Sequence, residues 1–428
     1  MNKDRYRKWF EDARFGMFVH WGVYSLIGRG EWVRSNERLS VEDYQPYVER
    51  FQPDSFSAET IVSLAEEAGM KYIVFTARHH DGYCLFDTAT TDYQSAHYCG
   101  HDFVREMADA CHRHGMKFGL YYSLIDWHHP DYPHYGDRIH PQRDDPAWKG
   151  YDHNFSWYLD FMHEQVRELC SNYGRVDLLW LDYSYDDMRA ETWQAEELVQ
   201  MIRTLQPGIV LNNRLEASGE GFGSLVSGSP TSVSGDFVSP EQIIPPHGIV
   251  DCNGKHVPWE ACITMNNHWG YCKDDHYFKP ADMLIRKLVE CVSKNGNMIL
   301  NIGPDGDGNI PPESVEILKE IAAWMKHSGE SVHGCHGTGL EKPEYGRITA
   351  KENIVYYHVL EGMIGGIPLT GLKKEQVKKI TVLKTDREIP VSDTWITGNY
   401  PDIVFADMGE DPCLPDTADT VLKVEVIE

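Results

Sequence analysis

The sequence predicts an α/β protein: a (β/α)8-like barrel of parallel strands followed by a C-terminal antiparallel β-sandwich. Three observations carry that prediction. Apolar strand-like runs alternate with helical patterns through about residue 330, the rhythm of βαβ units and a parallel sheet. About eight such runs share that length, which favours a closed barrel over an open sheet. No GxGxxG follows a strand, so a dinucleotide fold has no support. After about residue 334 the helical patterns stop and short β-rich runs follow one another. The barrel is assigned residues 1–333 and the sandwich residues 334–428.

Each element has its own signal. Phe15-Gly-Met-Phe-Val-His20 is the first strand. Ser57 to Met70 reads as a helix with a capping box, Ser57 as the cap and Glu59 and Thr60 in the first turn. Lys71 to Arg78 is the second strand, Asp102 to His114 a helix stopped by Gly115, and Lys117 to Ser123 the third strand. A long helix over 153–173 ends before Gly174, and Asp177 to Asp182 is the fourth strand. Helix 191–205 stops before Pro207, and Gly208 to Asn213 is the fifth strand. The Gly/Ser-rich stretch 216–236 is a loop. Trp259 to Met265, helix 280–294, Asn297 to Ile302 and helix 312–327 complete the barrel. The sandwich follows, with β-rich runs at Ile354 to Leu360, Val377 to Leu383 and Val421 to Ile427.

Composition narrows the function. An apolar fraction of 41% and a charged fraction of 25% are those of a globular chain. The formal net charge of −26 argues against nucleic acid and anionic membrane surfaces as partners, and is neutral toward uncharged substrates. Twelve Trp and 23 Tyr suit stacking against sugar rings as well as core packing. Ten Cys without a CxxC pair read as scattered, reduced thiols. The N-terminus lacks the apolar stretch of a signal peptide, and no run reaches transmembrane length. The expected location is the cytoplasm, or an exported compartment if a signal has been removed.

The most informative residue is Asp182, at the end of Val176-Asp-Leu-Leu-Trp-Leu-Asp182. A carboxylate ending a run buried on both faces needs partners or work to do. Alone it reads equally as a helix cap or a structural ion pair. The other strand ends change the balance: His20-Trp21-Gly22, Arg78-His79-His80-Asp81-Gly82, Tyr121-Tyr122-Ser123 with Asp126-Trp127, and Asn213-Arg214. Each alone has a packing explanation, but together they gather at the barrel end where catalytic groups sit. His, Arg and Asn exchange hydrogen bonds with sugar hydroxyls, and Trp and Tyr cover an apolar sugar face. A carboxylate among them can attack an anomeric carbon. Arg214 would hold such a carboxylate ionised. A second carboxyl group must protonate the leaving oxygen. Glu241, after the 216–236 loop, is placed for the mouth of the site, and Glu260, opening an apolar strand, is the alternative.

These motifs, taken in order, resemble glycoside hydrolase family 29, the retaining α-L-fucosidases. The segments are Arg14-Phe-Gly-Met-Phe-Val-His-Trp-Gly22, Ala77-Arg-His-His-Asp-Gly82, Gly119-Leu-Tyr-Tyr-Ser123, Leu179-Trp-Leu-Asp182 and Asn212-Asn-Arg214. They continue with Gly235-Asp-Phe-Val-Ser-Pro-Glu241, Trp259-Glu-Ala-Cys262, His268-Trp-Gly-Tyr271 and Asn297-Met-Ile-Leu-Asn-Ile-Gly-Pro304. The resemblance spans about residues 8–330. It implies a double-displacement exo-α-L-fucosidase with no cofactor, acting on a fucosylated oligosaccharide or glycoconjugate. It implies Asp182 as nucleophile, and His20, Glu31, Trp32, His79, His80, Tyr121, Arg214 and Trp269 as the residues that grip the sugar. Both Glu241 and Glu260 match positions proposed for the acid/base. Many members carry a small residue after the nucleophile, whereas this chain has Tyr183, which bears on tolerance for related sugars.

Three rivals follow. A retaining enzyme for a related sugar such as α-L-galactose would use the same machinery. A catalytically inactive carbohydrate-binding homologue would be expected to lack a carboxylate that is present here. A metal hydrolase would draw on His79-His80-Asp81 or His128-His129, but there is no HxH or HxxxH spacing, and adjacent residues on a strand point apart. No metal is expected.

Overall fold

A computed structural model describes residues 3–217, 221–411 and 413–427. Seven parallel strands form one curled sheet: β1 Phe15–Val19, β2 Tyr72–Arg78, β3 Lys117–Ser123, β4 Leu178–Asp182, β5 Val210–Leu211, β6 Glu260–Thr264 and β7 Asn297–Ile302. Their spatial order is β5-β4-β3-β2-β1-β7-β6. The sheet thus wraps through the β1–β7 pairing, Phe15 opposite Met298. Its open edges, β5 and β6, are spanned by the segment 236–242. Parallel bridges join Phe237 to Asn212, Val238 to Trp259 and Glu241 to Cys262. This segment takes the eighth stave's place without forming a continuous strand, because Pro240 has no N–H to give a ladder. Gly235, at φ 80°, lets it approach β5, since a Cβ there would collide with the Asn212 carbonyl.

Helices Ala58–Glu67, Phe103–His114, Phe155–Asn172, Ala195–Leu205, Ala281–Ser293 and Pro312–Ser328 surround the sheet. Alternation along the strands sorts the core into two layers. Phe18, Tyr72, Val74, Tyr121, Leu178, Trp180, Cys262 and Ile299 fill the barrel. Their neighbours Met17, Val19, Ile73, Phe75, Leu120, Leu179 and Leu181 pack outward under the helices.

Local expectations are adjusted in four places. Ser57 does accept the Thr60 N–H (3.2 Å), but Thr60 returns its hydroxyl to the Ser57 Oγ (2.9 Å) rather than to the Ser57 backbone, so no capping box forms. The box lies instead at Ser40 and Asp43, heading helix Val41–Arg50. The expected helix 191–205 is broken at Gln194 (φ 49°) into a short 3-10 turn and helix Ala195–Leu205. The fifth strand shortens to Val210–Leu211, and the expected loop 216–236 contains a 3-10 turn at Gly223–Ser227; its residues 218–220 lie outside the described residues.

The C-terminal part is antiparallel. Strands β8 His336–Gly337, β9 Gly346–Lys351, β10 Ile354–Val359, β11 Ile367–Leu369, β12 Val377–Val382, β13 Arg387–Glu388, β14 Val404–Ala406 and β15 Thr420–Val426 form a six-stranded sheet, β13-β12-β15-β10-β9-β8, and a small sheet, β11-β14. Tyr357, Leu422 and Val424 of the large sheet share a core with Leu369 and Val404 of the small one. On the other face, Tyr356 and Val421 join the core of the barrel. A buried His358–Asp419 pair (2.6 Å) lies at that junction, where the Asp419 carbonyl accepts the Trp324 indole N–H (3.1 Å). All ten cysteines are free. Among the described residues no helix is long and apolar enough to cross a membrane.

Candidate active site

At the carboxyl end of the barrel the strand termini enclose a pocket. Strand parity explains who reaches it. Leu178 and Trp180 point into the barrel, so Asp182, two residues on, points into the pocket above them. His20 follows Phe18 in the same way just past β1.

Strand β2 departs from this rule. Its pairing shifts between Thr76 and Arg78. Arg78 leaves the barrel and binds the Asp126 carboxylate (3.0 Å), Gln165 (3.1 Å) and the Ser123 carbonyl (2.7 Å). Gly82, at φ 82°, closes the following turn, where a Cβ would collide with the Asp126 carboxylate. The two histidines between therefore lie beyond the pleat. His79 and His80 both line the pocket, ring centroids 4.1 Å apart. The expectation that these neighbours point apart is overturned.

The centre of the site is Arg214. Its guanidinium donates to Asp182 Oδ1 (3.1 Å) and to Glu241 Oε2 (3.1 Å). It is held from behind by the Ser239 hydroxyl (3.0 Å) and carbonyl (3.1 Å), and lies over the Trp180 ring at 5.0 Å. Burial opposes its charge, but the two carboxylates more than offset this and raise its pKa. Asp182 also accepts the Tyr121 hydroxyl at Oδ2 (2.8 Å). Burial pushes the Asp182 pKa up; Arg214 pulls it down, Glu241 adds to the rise, and the Tyr121 hydroxyl and Tyr183 N–H oppose it. Asp182 leaves 14% of its side chain exposed, Glu241 39%. Glu241 also accepts the Trp269 indole N–H at Oε1 (3.2 Å). Of the two carboxylates, Glu241 is the one nearer solvent.

The histidines are set as neutral acceptors. Asn301 donates its amide to the Trp269 carbonyl (2.7 Å), which turns its Oδ1 toward His20 Nδ1 (2.7 Å). That nitrogen must carry the proton, leaving Nε2 with a lone pair. Ser123 gives its hydroxyl proton to the Ile125 carbonyl (2.7 Å), so His80 Nδ1 donates to its Oγ (2.8 Å) and His80 Nε2 is likewise free. Burial holds the His20 pKa down to about 3 and those of His79 and His80 well below the usual range. His79 stacks on Tyr121 at 5.4 Å and 14°. Glu31 accepts the Gly270 N–H (2.8 Å), and burial raises its pKa. Trp32 packs against His80, ring centroids 5.1 Å apart.

Glu260 lies elsewhere. It is fully buried inside the barrel, accepts the Tyr72 hydroxyl and the Trp180 indole N–H (3.0 Å), and does not line the pocket. Burial lifts its pKa to about 7, against the pull of those two hydrogen bonds.

Phe18, Trp180, Tyr183 and Cys262 also line the pocket. Period-two alternation back from His20 and Asp182 would have found Phe18 and Trp180. Tyr183 adopts φ 82°, unusual for a side chain of its size, with its ring 4.8 Å from that of His80. Among the described residues no three His, Cys, Asp or Glu side chains converge as a metal-binding group; His128 instead stacks on Tyr93, centroids 3.6 Å apart.

Known proteins share this fold. α-L-fucosidase isoenzyme 1 from Paenibacillus thiaminolyticus superposes over 100% of both chains with a TM-score of 0.96 and 48% identity. A family 29 α-L-fucosidase from Bacteroides thetaiotaomicron, trapped as a covalent intermediate with 2-fluoro-fucosyl fluoride in a glutamate-to-glutamine mutant, covers 99% of this chain and 97% of its own at a TM-score of 0.84 and 28% identity. Rat tissue α-L-fucosidase is 27% identical over 410 residues, 89% of this chain and 82% of its own. Residues 1–330 match the family model described as Alpha-L-fucosidase, and the chain belongs to that family of glycoside hydrolases.

Proposed function

We propose that Asp182 and Glu241 carry out the family's retaining hydrolysis here, releasing terminal α-L-fucose from fucosylated oligosaccharides or glycoconjugates. The observation that carries this reading is one guanidinium, Arg214, bonded to both carboxylates at 3.1 Å while Glu260 is sealed below the pocket. Asp182 attacks the anomeric carbon as Glu241 protonates the leaving oxygen. Glu241 then takes a proton from water, which attacks the same carbon and frees Asp182. Two inversions give net retention. Arg214 and Tyr121 keep Asp182 ionised for attack. The free Nε2 lone pairs of His20 and His80 accept sugar hydroxyls, His79 and Glu31 add polar contacts, and Trp32 and Trp269 cover apolar faces of the ring. The trapped intermediate of the Bacteroides enzyme supports the covalent step. Residues 1–333 form the catalytic unit and 334–428 the accessory sandwich.

The test is product stereochemistry. NMR at early times should show the α-anomer released first, and Asp182→Ala should lower turnover by about 10⁴-fold or more with the fold intact. Early release of the β-anomer, or substantial turnover by Asp182→Ala, would overturn the reading.

A further inference from the structure

A second cavity, of about 400 Å³, shares the Trp269 side of the first, a volume in the range that receives small-molecule ligands. It opens between the segments that follow β6 and β7, at the same end of the barrel as Asp182. Trp269 borders both spaces. That residue is also the one whose indole N–H holds Glu241, so a leaving group protonated by Glu241 departs beside it. The wall is anchored, since Asn301 binds the Trp269 carbonyl on one side and His20 on the other.

The lining has unspent chemistry. Two of its carboxylates are already satisfied. Asp275 takes the N–H groups of Asn267 (2.8 Å) and Tyr277 (3.2 Å), and Asp305 those of Asp307 (3.0 Å) and Asn309 (2.9 Å). The Tyr271 hydroxyl, Lys273 ammonium, His276 ring and Glu313 carboxylate form no side-chain hydrogen bond or ion pair among the described residues. With the aromatic faces of Trp269 and Phe278, these groups offer what a pyranose ring needs: flat apolar surface edged by donors and acceptors. Three carboxylates against one ammonium disfavour an anionic sugar.

We propose that this cavity binds the leaving portion of the substrate, a neutral pyranosyl residue or disaccharide carrying the fucose. The proposal rests on Glu241 as proton donor. It makes Tyr271 and Glu313 specificity determinants that touch the aglycone and not the fucose.

The experiment compares the full chain with Tyr271→Phe and Glu313→Gln on two substrates. One is 4-nitrophenyl α-L-fucoside, whose aglycone offers no sugar hydroxyl to Tyr271 or Glu313. The other is whichever neutral fucosylated trisaccharide, from a panel differing in linkage, the unmodified protein cleaves fastest. Each variant should lower kcat/KM on the trisaccharide by about tenfold, the scale of one lost hydrogen bond to a charged or well-placed partner, and change the aryl fucoside less than twofold. Inhibition by the defucosylated disaccharide should weaken in parallel, with unfolding temperatures unchanged. Equal losses on both substrates, no loss on either, or no cleavage of any trisaccharide would overturn the proposal. Failure of the donor assignment would show separately, as trisaccharide turnover surviving in Glu241→Ala.

Discussion

Glu260→Gln separates a structural carboxyl from a catalytic one. Burial raises the Glu260 pKa from 4.5 to about 7. A carboxyl with a higher pKa folded than unfolded holds its proton more tightly when folded. Its contribution to stability is therefore complete below pH 4.5 and disappears as pH rises through 7. At 1.36 kcal/mol per pH unit, the interval from 4.5 to 7 corresponds to about 3 kcal/mol. Gln keeps the size of the side chain and an acceptor for the Trp180 indole, and has no proton to lose. Urea unfolding of both proteins between pH 4.5 and 8 measures the effect. The stability of the native chain minus that of Glu260→Gln should fall by about 3 kcal/mol across the range. The variant should lose activity equally on good and poor leaving groups. A flat difference would refute the burial argument. Selective loss on poor leaving groups would move the donor role to Glu260.

Three further outcomes follow from the site. Glu241→Ala should slow hydrolysis of a natural glycan by at least about 100-fold and an activated aryl fucoside far less, with azide taking the place of water in the second inversion and restoring turnover as α-fucosyl azide; absence of both effects would remove Glu241 from the reaction. Tyr121→Phe deletes a hydrogen bond that lowers the Asp182 pKa, so the acid limb of kcat/KM should move upward by about one pH unit, and an unmoved limb would contradict that role. Prolonged chelation should leave activity unchanged, because the histidines are read as hydroxyl partners; loss restored by one divalent ion would overturn this.

Much of the site was legible because barrel strands put chemistry at their carboxyl ends. His20, His79, His80, Tyr121, Asp182 and Arg214 all come from such ends and all line one pocket. The choice between Glu241 and Glu260 was not legible. Both precede or open the last strands, and which way a carboxylate points depends on register. Glu260 shares the inward parity of Cys262 but sits two residues lower, inside the barrel. The eighth stave was hidden because Gly235 to Gln242 has only two apolar residues, Phe237 and Val238. Its bridges to β5 and β6 are tertiary. The convergence of His79 and His80 was missed because a register shift inside β2 leaves no trace in the hydrophobic pattern.

In the proposed mechanism Asp182 forms the covalent bond to the sugar. Incubation with 2-deoxy-2-fluoro-α-L-fucosyl fluoride, proteolysis and mass spectrometry test it directly. One fluorofucosyl group per chain is expected, on the peptide containing Asp182, with no labelling of Asp182→Ala. A label on the peptide of Glu241 or Glu260, or inactivation without any covalent adduct, would contradict it.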